Sequence, residues 1–259
     1  MTVYASFQFY QFYAELNAFL VPSNRQRPVF RACPKGASLK HMIKVFGIPH
    51  TEVDLILANE VSAGFEHPIR SGDLISVYPY FGMRNVSPLL MIPFRPLRGD
   101  RFIADLHLGR LAAQLRMLGF DVLHDNHYPD REIAGISAEE NRIVLSRDRN
   151  RLIHKKIERG CFIHAISPDE QVLEIMNRLD LSQNIRPFTC CLRCNGLLHD
   201  VDACSVTNRV PQRSRQYYSR PLECSNCRNI YGGLAYDSDA RTSNSDHCNS
   251  RERNLPISR

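Results

Sequence analysis

A chain of 259 residues with 43% hydrophobic content is long enough to bury a sizeable core and is composed like a globular protein. No stretch approaches the roughly 20 apolar residues that span a bilayer, and Met1 to Leu20 lacks the basic start of a secretory signal, which argues against a membrane role. The net charge of +6 is spread as +4 over residues 1–99, −2 over 100–180, +4 over 181–236 and 0 beyond, so a phosphate-gripping module beside a cation-holding one and plain solvated scatter both fit.

The chain opens on an alternating aromatic strand from Val3 to Tyr10, with a second strand from Val29 to Ala32. An amphipathic helix follows, N-capped by Ser38, carrying Leu39, Met42, Ile43 and Phe46 on one face and ended by Gly47. Strands at Val53 to Ala58 and Leu74 to Tyr78 complete the order strand, strand, helix, strand, strand, which predicts a β-grasp domain over residues 1–81. Residues 82–99, punctuated by Gly82, Pro88, Pro93, Pro96 and Gly99, read as a linker. Because the β-grasp segment runs on past Gly82 without a Gly-Gly end, it is not a sulfur carrier or a conjugated modifier unless processed.

From Arg101 the pattern becomes strand-helix units, which imply a parallel α/β sheet over residues 100–181. The strands are placed at Phe102 to Ala104, Val122 to Leu123, Ile143 to Leu145 and Cys161 to Ile166. The first helix, with Leu108, Leu111, Ala112, Leu115 and Leu118 on one face, stops at Gly119. Asp130 is placed to cap a helix reaching Glu140, a basic helix starts near Asn150, and Asp169 to Leu179 forms the last. Residues 182–236 hold paired cysteines, and 237–259, rich in Ser, Asn, Asp and Arg, read as a disordered tail.

One residue type recurs at the strand ends: Asp105, Asp125, Asp148 and, slightly later, Asp169, with Asp130 on the following helix. Open parallel sheets bind ligands outside the carboxyl ends of their strands, so these side chains are expected at one edge. Gathered carboxylates repel unless a cation joins them, and Mg²⁺ or Mn²⁺ held there can activate water against a phosphodiester. Arg147 and Arg149 flank Asp148 and can meet phosphate. For any single aspartate, helix or turn capping competes with this use. Among the histidines, His107, two positions after Asp105, either approaches the metal or packs on the helix, and His124 and His127 show no recognisable spacing.

Nine cysteines, five of them Cys190, Cys191, Cys194, Cys224 and Cys227 in a C-terminal stretch, suit a metal in a reducing, cytoplasmic setting better than a disulfide framework. Cys191-x-x-Cys194 and Cys224-x-x-Cys227, separated by 29 residues, are the spacing of a structural four-thiolate Zn²⁺ site, a zinc ribbon. Cys190, Cys204 and His199 leave the ligand set slightly open. Arg186, Arg193, Arg209, Arg213, Arg215, Arg220 and Arg228, interleaved with Tyr217 and Tyr218, either hold RNA or form a solvated basic face.

The run from Phe102 through Asp105, Gly109, Arg110, Leu111 and Ala112, then Leu115-Arg116, Leu118-Gly119-Phe120-Asp121 and Val144-Leu145 with Arg147-Asp148-Arg149, resembles the Mut-seven C-terminal RNase domain, a PIN-like nuclease family. Phe9-Tyr10, Ala14 to Asn17, Pro49 to Leu57, Gly72-Asp73 and Tyr78-Pro79 are similar to the ubiquitin-like domain that precedes it in bacterial members. The resemblance implies RNA hydrolysis with Mg²⁺ or Mn²⁺ at Asp105 and Asp148, Asp130 in support, Asp125 in reserve and Glu132 as a lesser option. It also implies phosphate contacts from Arg110, Arg147 and Arg149 and favours Cys191 over Cys190 as zinc ligand. After Ile230-Tyr231 the chain continues Gly232 to Tyr236, without the Trp and Gly-Ser-His usual in the family. The competing expectation is an RNA-binding or adaptor protein without turnover, making protein contacts through the ubiquitin-like domain. A phosphotransferase fits less well, because Asp105 lacks a second Asp two residues on.

Overall fold

Alternation in the first strand sorts its side chains by face. In β1 (Tyr4–Phe12), Gln8, Tyr10 and Phe12 are buried while Phe7 and Phe9 lie exposed on the other side. The strand pairs antiparallel with β2 (Val29–Pro34) and parallel with β5 (Leu74–Pro79), and β3 (Val53–Ala58) and β4 (Val61–Ser62) continue the sheet in the order β2-β1-β5-β3-β4. Helix α1 (Leu39–Val45) starts where Ser38 accepts the His41 amide at 3.4 Å and stops at Gly47, whose φ of +80° suits glycine. This is the β-grasp architecture expected. The sequence pattern did not disclose β4 or the 3₁₀ turn Ala14–Phe19, which buries Leu16 and Phe19. The computed structural model describes residues 4–34, 36–79, 100–213 and 220–232, so the expected linker and tail, Tyr217, Tyr218 and Gly233 to Tyr236 lie outside the described residues.

The second sheet is wholly parallel, with β6 (Arg101–Ala104), β7 (Asp121–Leu123), β8 (Ile143–Ser146) and β9 (Gly160–Phe162) in the order β7-β6-β8-β9. The crossover helices are α2 (Gly109–Met117), α3 (Asp130–Glu140) and the single turn α4 (Arg149–Leu152), and α5 (Pro168–Leu179) follows β9. Ile103, Val144, Ile133, Ala134, Leu152 and Ile157 share one buried cluster.

The basic helix expected near Asn150 is present as a single turn, because the chain folds back with Ile157 N–H on His154 O to bury Ile157 beside Leu152. Two expectations needed correction. The last strand ends at Phe162 instead of Ile166: Glu174 accepts the amides of His164 and Ala165, and the Gln171 side-chain amide donates to the carbonyls of Ala165 and Ile166. Asp130 does not cap α3, whose N-cap is Pro129 with no side-chain bond.

By its contacts the chain divides into two compact units, one of Met1–Leu115 with Asp121–Ile185 and another of Arg116–Phe120 with Arg186–Arg259. The first unit contains both sheets, and buried polar contacts tie them. Glu52, fully buried, accepts the Phe162 amide at 2.7 Å and pairs with Arg178 at 2.8 Å. Lys44 Nζ donates to Ile153 O, and Phe162 packs against the cores of both sheets. Losing either charge of such a pair typically costs about 3–5 kcal/mol, so the β-grasp sheet is fixed to the edge strand β9.

The second unit is built on an antiparallel sheet of β10 (Leu198–Asp200), β11 (Pro221–Cys224) and β12 (Ile230–Gly232). Gly119 has φ +94°, and a Cβ there would lie 1.8 Å from Arg186 O, so the stop after α2 admits no side chain. Arg116 donates to the carbonyls of Leu192 and Arg193, holding the first cysteine loop.

Candidate active site and candidate metal centre

The strand order decides where the parallel sheet opens. Because the chain runs from β6 outward to β7 and then crosses back to β8, the switch point falls between β6 and β8, where open α/β sheets place their ligand crevice. The residue after β6 is Asp105, and Asp148 follows β8 two residues on.

Asp105 is almost entirely buried, with Oδ1 accepting the His107 amide at 3.0 Å and Oδ2 accepting the Ser146 hydroxyl at 2.6 Å. Ser146 Oγ also accepts the Asp148 amide at 2.9 Å, so one hydroxyl links the two strand ends. Asp148 is exposed; its Oδ1 accepts the Asn150 amide, and its Oδ2 makes no hydrogen bond or ion pair among the described residues. Asp130 pairs with Arg151 at 2.7 Å, and the same guanidinium stands 3.7 Å from Asp105. Arg151 is buried, and its Nε and Nη1 have no hydrogen-bond partner. A cation therefore already lies between two of the expected carboxylates, and it belongs to the chain.

Asp125 and Asp169 are drawn elsewhere. Asp125 accepts the His127 amide at 2.8 Å and its ring nitrogen at 2.9 Å, and these two bonds, the amide first, hold its carboxyl below the usual range. Asp169, in the first turn of α5, accepts Gln114 at 2.6 Å. Glu132 and Arg110 are exposed on α3 and α2, and Arg147 and Arg149 are exposed on either side of Asp148. His124 lies against Gly109, where a Cβ would come within 3.0 Å of the ring. Ser146 and Arg151 were missed by sequence reasoning: a serine before Arg147-Asp148 and one arginine among three carry no signal of their contacts.

The cysteines do converge. Among the described residues, Cys191, Cys194, Cys224 and Cys227 are the one group of three or more His, Cys, Asp or Glu whose ligand atoms all lie within 4.8 Å of one another. The sulfurs of Cys191 and Cys227 are 3.6 Å apart and those of Cys194 and Cys224 3.4 Å, close to the ~3.8 Å edge of a tetrahedron with 2.3 Å metal–sulfur bonds. The two knuckles repeat one backbone pattern. Cys191 N donates to Gly196 O and Cys224 N to Asn229 O, while Asn195 and Arg228 take the left-handed conformation after each second cysteine. Tyr231 Oη lies 3.1 Å from Cys191 Sγ. Burial acts to raise the Cys191 thiol, but that hydroxyl and the amides of Cys194 and Arg193 outweigh it and bring it down to about 6. The four thiols can hold a metal ion; Cys190, Cys204 and His199 are not in the group.

Residues 100–238 match the model of the Mut7-C RNAse domain, and residues 4–84 match that of the Mut7-C ubiquitin domain. The chain belongs to the Mut7-C RNAse domain family. No curated protein and no solved structure matches it. The Mut7-C assignment makes the parallel-sheet domain that of a nuclease family and the β-grasp domain its ubiquitin-like partner. Among the described residues no helix is long and apolar enough to cross a membrane.

Proposed function

We propose that this Mut7-C chain hydrolyses RNA phosphodiester bonds at the β6–β8 switch point, with Asp105 and Asp148 as ligands of Mg²⁺ or Mn²⁺ and Asp130 in support. The observation that carries the reading is Ser146, whose hydroxyl donates to the buried Asp105 carboxylate and accepts the Asp148 backbone amide, tying the ends of β6 and β8 together at that point. The donors fit a hard cation: they are oxygens only, and Asp148 Oδ2 has no partner among the described residues. When bound, such an ion supplies an acidified water and neutralises charge on the phosphate. The chain's own part is positional. Ser146 and the His107 amide fix the Asp105 carboxylate, while Arg147, Arg149 and Arg110 offer guanidiniums to phosphate oxygens. Asp125, engaged with His127, stands last among the aspartates.

The same reading assigns Zn²⁺ to the four cysteines as a structural ion, RNA contacts to the arginines of the ribbon, and a cytoplasmic setting to the chain. It takes the segments as 1–81, 82–99, 100–181, 182–236 and 237–259. Exposed Phe7, Phe9 and Phe30, with ring centroids 5.0–5.1 Å apart, support protein contacts through the ubiquitin-like domain. One observation favours a second reading, an RNA-binding protein without turnover: Arg151 already neutralises Asp105 and Asp130.

Asp148→Asn keeps the side-chain size and the Oδ1 acceptor. Cleavage of single-stranded RNA with Mn²⁺ should fall by about a thousandfold or more in this variant, equivalent to at least ~4 kcal/mol of transition-state stabilisation. Wild-type protein that binds RNA and never cleaves it under these conditions establishes the second reading.

A further inference from the structure

The seam between the β-grasp sheet and β9 encloses a cleft of about 320 Å³ that reaches Asp148. Its aromatic part comes from both sheets. Phe19 of the β-grasp segment meets Phe162 at 5.0 Å and His164 at 5.6 Å, and Phe162 and His164 lie 4.8 Å apart, all edge to face. Arg147, Arg149 and Asn150 form the wall beside Asp148. Arg149 Nη1 donates to Phe19 O, fixing one guanidinium to the β-grasp backbone, while the exposed Arg147 side chain makes no hydrogen bond or ion pair among the described residues. His164 Nε2 is buried and has no hydrogen-bond partner.

These features point to one ligand chemistry. Aromatic rings select a flat π-system, guanidiniums select an attached phosphate, and the exposed Asn150 side-chain amide offers polar contacts to a base edge. A bare anion is disfavoured by the Asp148 carboxylate on the same wall. The volume lies at the lower end of the ~300–1,000 Å³ range of small-ligand sites, which suits one base and not a stacked pair.

We propose that this cleft receives the base of one unpaired RNA nucleotide next to the scissile phosphate, so that the ubiquitin-like domain is a wall of the nuclease's substrate site. The inference rests on the nuclease reading for the word scissile and on the cleft alone for base capture. Its consequence is selectivity: a base held in a duplex cannot enter, so single strands and loops are preferred over paired RNA.

The test uses the full chain without added Mn²⁺ and a short single-stranded RNA carrying one 2-aminopurine. Binding is expected to quench the 2-aminopurine, and the same sequence as a duplex is expected to show no quench. Ala18 is exposed on the rim, so Ala18→Phe fills the cleft without entering the core; it should weaken binding by about tenfold, the scale of one lost base–aromatic stack. Arg147→Ala, on the opposite wall, should weaken binding while keeping the quench. Should Ala18→Phe melt early, the Arg147 variant and the wild-type quench still decide the matter. Absence of quench in the wild type, or unchanged binding in both variants, overturns base capture. Cleavage with Mn²⁺ is scored separately. A chain that cleaves RNA without base quenching retains the nuclease reading and loses this one, and a chain that quenches without cleaving does the reverse.

Discussion

The thiol cluster and the carboxylate edge are both candidate metal sites, and they are built in opposite ways. Four cysteines stand in two backbone loops of identical pattern, with sulfurs already at tetrahedral spacing. The aspartates come from separate strands and helices; Asp105 and Asp130 share a buried arginine, and Asp125 is engaged with His127. The difference follows from charge. Thiols can be neutral and pack closely before a metal arrives, whereas ionised carboxylates cannot gather without a cation, and here Arg151 is that cation.

The comparison breaks first at the cysteines. Cys224→Ser should abolish zinc retention and unfold the second unit, since metal binding at such sites carries on the order of 10 kcal/mol of apparent free energy. Zinc measured in purified, tag-free protein beside a thermal melt checks this, and a wild type free of zinc would reverse it. The Asp148→Asn assay is the next largest effect, and it should leave zinc content untouched.

Arg151→Gln sharpens the contrast directly. Removing the guanidinium leaves the buried Asp105 unpaired, so metal-free stability should fall by about 3 kcal/mol, the lower end of the cost of breaking a buried pair. Mn²⁺ should restore that loss, and half-maximal activity should need about tenfold less Mn²⁺, one decade being ~1.4 kcal/mol. An unchanged Mn²⁺ requirement would show that Arg151 does not compete with the ion.

The smallest effect is a pH dependence confined to the first unit. Burial, and then Lys40 and Lys44, lower His50 to about 4. A histidine lowered in the folded state binds more protons when unfolded, so its stabilising contribution is complete above about pH 6.5 and is lost as the pH falls toward 4. Full loss amounts to up to about 3 kcal/mol. Melts at pH 7.5 and 5 should differ less in His50→Phe than in wild type.

Much of this was legible in the chain. Ser38 and Gly47 bounded α1 because capping and positive φ are local demands, and the two C-x-x-C pairs defined their site because each knuckle closes over four residues. Asp105 and Asp148 were readable as strand-end residues. What escaped was long-range: β4, the early end of β9 under Glu174 and Gln171, and the Glu52–Arg178 pair 126 residues apart. The ring cluster of Phe19, Phe162 and His164 escaped for the same reason.

By itself, then, the sequence determined much of the local grammar: most of the strands, the bounds of α1, and which four sulfurs can share a metal. Only the tertiary structure decided the order β7-β6-β8-β9, which brings the ends of β6 and β8 together, and the placing of Arg151 between two carboxylates. Strand order and a single guanidinium's destination depend on packing between segments far apart in the chain, and no local spacing encodes them.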